Sequence, residues 1–94
     1  MALEFEWDAK KAATNERKHA VTFEEASAVF GDALAFIFDD EAHSADEQRE
    51  IIIGHSERNR LLLVCYTERA RKIRIISARR ATRRERNDYE ENAS

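Results

Sequence analysis

Proline is absent from this sequence and glycine occurs only as Gly31 and Gly54, which excludes a glycine-rich phosphate-binding loop. The single cysteine, Cys65, has no partner for an intramolecular disulfide. Set in the apolar run LLLVCY, it reads as a buried, reduced thiol and points to a reducing compartment. No apolar stretch approaches the ~18 residues of a membrane-crossing helix, and no secretory segment is visible. The expectation is a soluble, cytoplasmic protein that does not engage membrane. Repeats, low-complexity tracts and linkers are missing too, so residues 1–94 are expected to form one domain, near the lower size at which a single core suffices. His19, His43 and His55 stand far apart in unlike contexts, and no His, Cys, Asp or Glu set has ligand spacing. Neither a metal nor a cofactor is therefore expected.

What the chain does have is charge, sorted by position. Residues 58–86 carry eleven Arg or Lys against Glu68 and Glu85, a net of +9; residues 1–57 carry five bases and fourteen acids, a net of −9. The overall charge of −3 hides this, because a polyanion meets the local field, which reaches only ~8–10 Å in physiological salt. Surface pairing of the arginines with the acidic half would stabilise little and would not require such segregation. The basic stretch thus points to phosphate, with RNA or another polyanion as the partner.

Asp8 is a good N-cap for a helix over residues 9–18, and Thr22 with Glu25 has the spacing of a capping box for a second over 23–30, stopped by Gly31. A short Leu3–Trp7 segment alternates like an edge strand. The period then becomes two: residues 34–38, 50–55, 60–68 and 72–78 read as strands, with a solvated acidic loop at 39–49. Only residues 69–71 separate the last two strands. A three-residue turn pairs Glu68 with Lys72, Tyr66 with Arg74 and Val64 with Ile76, leaving Leu63, Cys65, Ile73 and Ile75 on the dry face; a two-residue turn would set Glu68 against Ile73. Tyr66, Glu68, Lys72 and Arg74 are then expected on the open face, with Arg60 and His55 at its far end. Thr82 and Glu85 repeat the capping-box spacing and start a C-terminal helix to about Asn92. Arg79, Arg80, Arg83 and Arg84 crowd its N-terminus, where an anion would relieve the repulsion.

The series F-E-W-D (5–8), Lys11, Asn15, K-H-x-V (18–21), F-E-E-A (23–26), T-E-R (67–69) and R-I-I-S-A-R-R-A-T (74–82), followed by Glu85 and Tyr89, resembles the BrnT toxins of bacterial type II toxin-antitoxin systems. The resemblance spans nearly the whole chain. It implies a RelE-like fold, and the elements read above make an α+β domain of two N-terminal helices, a mainly antiparallel twisted sheet of about four strands and a C-terminal helix. It also implies a ribonuclease that inhibits translation. A cognate BrnA antitoxin, whose ribbon-helix-helix part binds promoter DNA, is the implied partner, in a heterotetramer of two toxins and two antitoxins that touches DNA through the antitoxin alone. An acidic, partly helical antitoxin segment over the basic sheet edge or hairpin face is the physical expectation. The family pattern has glycine where this chain has Ala20 and Ala70, and alanine disfavours positive φ.

RNA carries its own nucleophile. Cleavage needs a base for the 2′-OH proton, cations for the charge growing on phosphate and an acid for the 5′-oxygen. Glu68 is the first candidate base and His55 the alternative; Arg69, Arg74 and Arg79 are the candidate clamp, and Tyr66 would stack on a base or share the proton transfer. Lys11, Lys18, Arg60, Lys72, Arg80 and Arg83 are candidate RNA contacts. The function expected is metal-independent endoribonuclease; the alternative is a non-catalytic RNA-binding or regulatory module using the same surface. Glu85 reads as a helix cap and arginine tether, and His19 as a helix-terminal hydrogen-bonding residue.

Overall fold

In the computed structural model, which describes residues 3–40 and 48–93, Asp8 opens the first helix as its chemistry dictates. Its carboxylate accepts from the amides of Lys10 at 2.8 Å and Lys11 at 3.1 Å, and α1 runs Ala9–His19. The helix ends on Ala20, held left-handed at φ 56°, with its amide donating to the Glu16 carbonyl at 2.9 Å. A glycine would sit there without strain. Helix α2, Phe23–Ala28, starts at Thr22, whose hydroxyl accepts from the Glu25 amide at 3.0 Å. Glu25 does not reach back to complete the box, because its buried carboxylate is bound by Ser56 and Arg60. The helix gives way to a 3₁₀ turn, Val29–Gly31, in which Gly31 does not take positive φ; the expected glycine stop is a continuation instead.

Five strands form one mixed sheet: β1 (Glu4–Glu6), β2 (Phe36–Asp39), β3 (Glu50–His55), β4 (Leu61–Arg69) and β5 (Lys72–Arg80), in the order β1-β5-β4-β3-β2. The antiparallel four-strand expectation is therefore extended by β1, which lies parallel to β5 with Glu4 opposite Lys72 and Glu6 opposite Arg74. Of the acidic loop, residues 41–47 with His43 lie outside the described residues. Helix α3, Arg83–Ala93, starts with the full capping box: the Thr82 amide donates to Glu85 at 2.8 Å, and the Glu85 amide to the Thr82 hydroxyl at 3.2 Å.

The hairpin register differs from the expected one. Its turn has two residues, Ala70 at φ 47° and Arg71 at φ 70°, a pair of left-handed conformations that matches the twist of the flanking strands. Arg69 faces Lys72, Glu68 faces Ile73, Thr67 faces Arg74 and Tyr66 faces Ile75. The mixing of faces that this register implies is repaired by a bulge: Cys65 pairs with Ser77, so Ile76 is the extra residue and the alternation resumes beyond it. Tyr66 consequently belongs to the dry face, with Leu62, Val64, Ile73 and Ile75, under Val21, Phe23, Ala26 and Val29. Cys65 and Leu63 point to the other face, where α3 covers Ile53, Leu61 and Leu63 with Tyr89. Gly54 is required for close approach: a Cβ there would lie 2.8 Å from that of Ala35.

One buried polar residue joins the layers. The Asn15 amide donates to the carbonyls of Val21 at 3.0 Å and Ala78 at 2.8 Å, and its oxygen accepts from the Ala78 amide at 3.0 Å. Asn15→Leu leaves three buried backbone groups unmatched and should lower stability by roughly 2–4 kcal/mol. Ala20→Gly relieves left-handed strain and should raise it by about 0.5–1 kcal/mol. Thermal and urea unfolding of the two variants should therefore move in opposite directions.

Candidate nucleic-acid interface

Strand β1 covers only the first three residues of β5, so the outer edge of β5 is free where Asn15 meets Ala78. Because side chains three and four apart share a helix face, Lys11, Lys18 and His19 lie on the side of α1 that turns toward this edge with Asn15. Two adjoining clefts result. One, of about 320 Å³, runs along α1 between Lys10, Lys11, Lys18 and His19; the other, of about 300 Å³, passes over the sheet between His19, Arg49, Cys65 and Arg79. Both are lined by His19, Ile76 and Ser77, so they form one groove with a cationic rim. The bulge at Ile76 lies on its path.

Arg79 is held from beneath. Its two terminal nitrogens fork onto Glu85 at 2.7 and 2.8 Å, and one also donates to the Arg80 carbonyl at 3.2 Å. The side chain remains 41% exposed, so the charge is fixed in place while facing solvent. The Arg79 hydrogen bonds, helped by the Thr82 amide and opposed by burial, draw the Glu85 carboxyl down to about 2. Arg49 brings a buried Nε–H with no hydrogen-bond partner among the described residues. Cys65 is half-buried on the groove floor, its thiol pushed up to about 11 by burial and then by Asp40, 3.5 Å away; that environment disfavours a thiolate.

The other expected site residues fall elsewhere. Glu68, Arg69 and Lys72 are exposed at the hairpin tip. Arg74 donates to Glu6 at 3.3 Å and stands opposite Thr67 rather than over Tyr66. Tyr66 is only 4% exposed, edge-on to Phe30 at 4.9 Å, with its hydroxyl pushed up to about 12 chiefly by burial; base stacking and proton transfer are closed to it. Arg60, expected as an RNA contact, turns inward to Glu25 and the Ala20 carbonyl and braces the start of β4 against the helices. Arg60 first, then Ser56, hold the Glu25 carboxyl below its ordinary range against the cost of burial. His55 lies at the far end of the sheet beside Tyr89, its amide donating to Asp32 at 2.7 Å. Arg80 and Arg83 are exposed where β5 passes into α3. Of the expected contacts, the groove gathers Lys11, Lys18 and Arg79, and it adds Lys10, His19, Arg49 and Ser77. The lysine stripe and the K-H pair are visible in the sequence; Arg49, at the end of an acidic loop, carries no local signal.

Among the described residues, no three His, Cys, Asp or Glu side chains gather as metal ligands, and no helix is long and apolar enough to cross a membrane. A family described as "Ribonuclease toxin, BrnT, of type II toxin-antitoxin system" matches residues 7–85. The crystal structure of the Brucella abortus ribonuclease toxin, BrnT, is similar in fold, with a TM-score of 0.68 at 24% identity, covering 87% of this chain and all of that one. No curated protein matches the sequence.

The Arg79–Glu85 fork has a pH signature. Because the Glu85 carboxyl drops from an ordinary 4.5 to about 2 on folding, its contribution is fully present above pH 4.5 and is lost as pH falls toward 2. Glu85→Gln should therefore cost about 1.5–3 kcal/mol at neutral pH and almost nothing near pH 2. Urea midpoints of both proteins across that range should converge at the acid end.

Proposed function

The chain belongs to the BrnT family of ribonuclease toxins of type II toxin-antitoxin systems, and on that premise we propose that it is a metal-independent endoribonuclease that cuts RNA in the groove between α1 and β5. The observation that carries this reading is the meeting of His19 with Arg79 and Arg49 in one cleft that continues onto the lysine face of α1. Lys10, Lys11 and Lys18 follow the backbone of a single strand, and Arg80 and Arg83 extend the phosphate contacts outward. Arg79 keeps Nε–H and one Nη2 hydrogen for phosphate, since Glu85 and the Arg80 carbonyl occupy its other three donors. Arg49 adds its positive charge from the groove wall.

In the reaction the 2′-oxygen forms a bond to phosphorus as the bond to the 5′-oxygen breaks. The 2′-OH proton passes to a base, and a proton is returned to the leaving 5′-oxygen. An imidazole can both take and return a proton, and among the described residues His19 is the histidine that lines the groove. His55 and Glu68 line neither cleft, so the proton transfer is assigned to His19. The arginines stabilise the charge that grows on the phosphate oxygens. Loss of cut messages inhibits translation, and a BrnA-like ribbon-helix-helix antitoxin restrains the enzyme as two toxins on two antitoxins, with promoter DNA touched by the antitoxin alone. On this reading the fold is RelE-like.

The commitment of Arg79 to Glu85 also favours a second reading, a module that binds RNA without cutting it. Labelled RNA incubated with the protein in EDTA separates the two: cleavage should persist and leave 2′,3′-cyclic phosphate ends, whereas bound but intact RNA would establish the binding module. His19→Ala and Arg79→Ala should each slow cleavage by more than ~10²-fold with the fold retained by circular dichroism. Replacing Lys11 and Lys18 together by Ala should weaken binding and flatten its salt dependence by about 1.4 in log–log slope. Arg69→Ala, at the hairpin tip, should change the rate little.

A further inference from the structure

Among the described residues, exposed large apolar side chains gather along β2, at the sheet edge opposite β1. Strand β2 ends the sheet, so one row of its backbone donors and acceptors faces outward, and every residue in it is exposed: Phe36 39%, Ile37 56% and Phe38 45%, with Leu34 before them at 65%. An edge of this kind is ordinarily blunted by lysine, proline or a bulge, and β2 has none of these. Between β2 and α3 runs a cleft of about 350 Å³ floored by Ile53, Leu63 and Tyr89 and rimmed by Glu85 and Asp88. The Tyr89 hydroxyl donates to the Leu34 carbonyl at 3.2 Å and its ring meets Phe36 edge-on at 5.7 Å, so cleft and strand form one surface.

From this edge we infer that β2 is the docking strand for the protein partner, which adds a strand of alternating apolar residues flanked by Lys or Arg and seats one side chain in the cleft. The inference rests on the toxin reading above for the existence of the partner. Charge selects the occupant: among the described residues Asp39 ends β2 with Glu50 opposite it on β3, Asp32 and Asp40 flank the strand, and α3 adds Asp88 at the rim, so the edge is apolar with acids around it. A second copy pairing through β2 about a two-fold axis would bring two such acidic rims together, whereas a basic apolar segment satisfies the open ladder, the apolar side chains and the field at once. The partner would therefore hold the chain by the acidic edge. An acidic helix over the hairpin is not required for docking.

The test uses the chain co-expressed with the product of the adjoining open reading frame. Backbone hydrogen exchange should slow at least tenfold at residues 36–39 in the complex relative to the free chain, and Ile37→Lys should raise the dissociation constant at least 100-fold. RNA cleavage by the free Ile37→Lys chain should equal that of the unaltered one, because Ile37 lines neither cleft of the groove. A complex that protects the Lys11, Lys18 and Arg79 region but leaves 36–39 unprotected overturns the docking strand while the toxin reading stands. Protection of 36–39 on concentrating the free chain, with a dimer mass and no further change on adding the neighbour's product, assigns the edge to a second copy and overturns it as well. No complex from a chain that still cleaves RNA removes the partner and the docking strand together, and leaves the ribonuclease.

Discussion

A primary amide closes this structure where a strand is missing. Strand β5 is nine residues long and β1 lines only its beginning, so the peptide groups beyond would face a helix with nothing to bond. Asn15 imitates the absent neighbour: its oxygen accepts from Ala78, one N–H donates back to Ala78, and the other N–H holds Val21 between the helices. Neither Gln, with one more methylene, nor Asp, with no donor, meets the same three groups from that position. The clamp sets the height of α1 along the sheet, and one helical turn on, it sets His19 at the groove.

The basic half of the chain does two jobs with one residue type. Arg60 on Glu25, Arg74 on Glu6 and Arg79 on Glu85 are internal pairings that brace β4 to α2, β5 to β1 and β5 to α3. Arg71, Arg80, Arg83, Arg84 and Arg86 are exposed. Pairing with acids therefore explains part of the +9 stretch, and the rest remains as surface field. In Arg79 the two uses meet, since a guanidinium forked onto a carboxylate still has donors to offer a phosphate without first ordering a flexible side chain. At the far edge of the sheet β2 carries the exposed Phe36, Ile37 and Phe38 and ends on Asp39, so that edge offers apolar side chains where the groove offers cations.

Local chemistry was readable along the chain. Asp8, Thr22 and the Thr82–Glu85 pair start their helices because capping depends on three or four consecutive residues, and the isoleucine and leucine runs become strands because alternation is a local property. The tether between Glu85 and Arg79 follows from the same short range, six residues apart. Ala20 and Ala70 take a positive φ that favours glycine, with Arg71 sharing the turn; packing elsewhere outweighs a cost of about 1–2 kcal/mol per residue.

What no stretch of sequence specifies is which side chains face each other across elements. The two-residue turn and the extra residue Ile76 together put Ile73, Ile75 and Ala78 of β5 on the face that Val64 and Tyr66 present from β4; bulge and turn are chosen together by how the whole sheet packs under α2. Arg60 looked like a surface cation until Glu25, thirty-five residues away, drew it inward. His19 and Arg79 come from opposite ends of the chain and meet only because Asn15 docks α1 on the edge of β5. The sequence by itself determined the helices, the strands and the sorted charge, since these depend on neighbours a few residues apart. Tertiary structure decided the groove and its members, because they depend on register and docking, where contacts distant along the chain outweigh local preference.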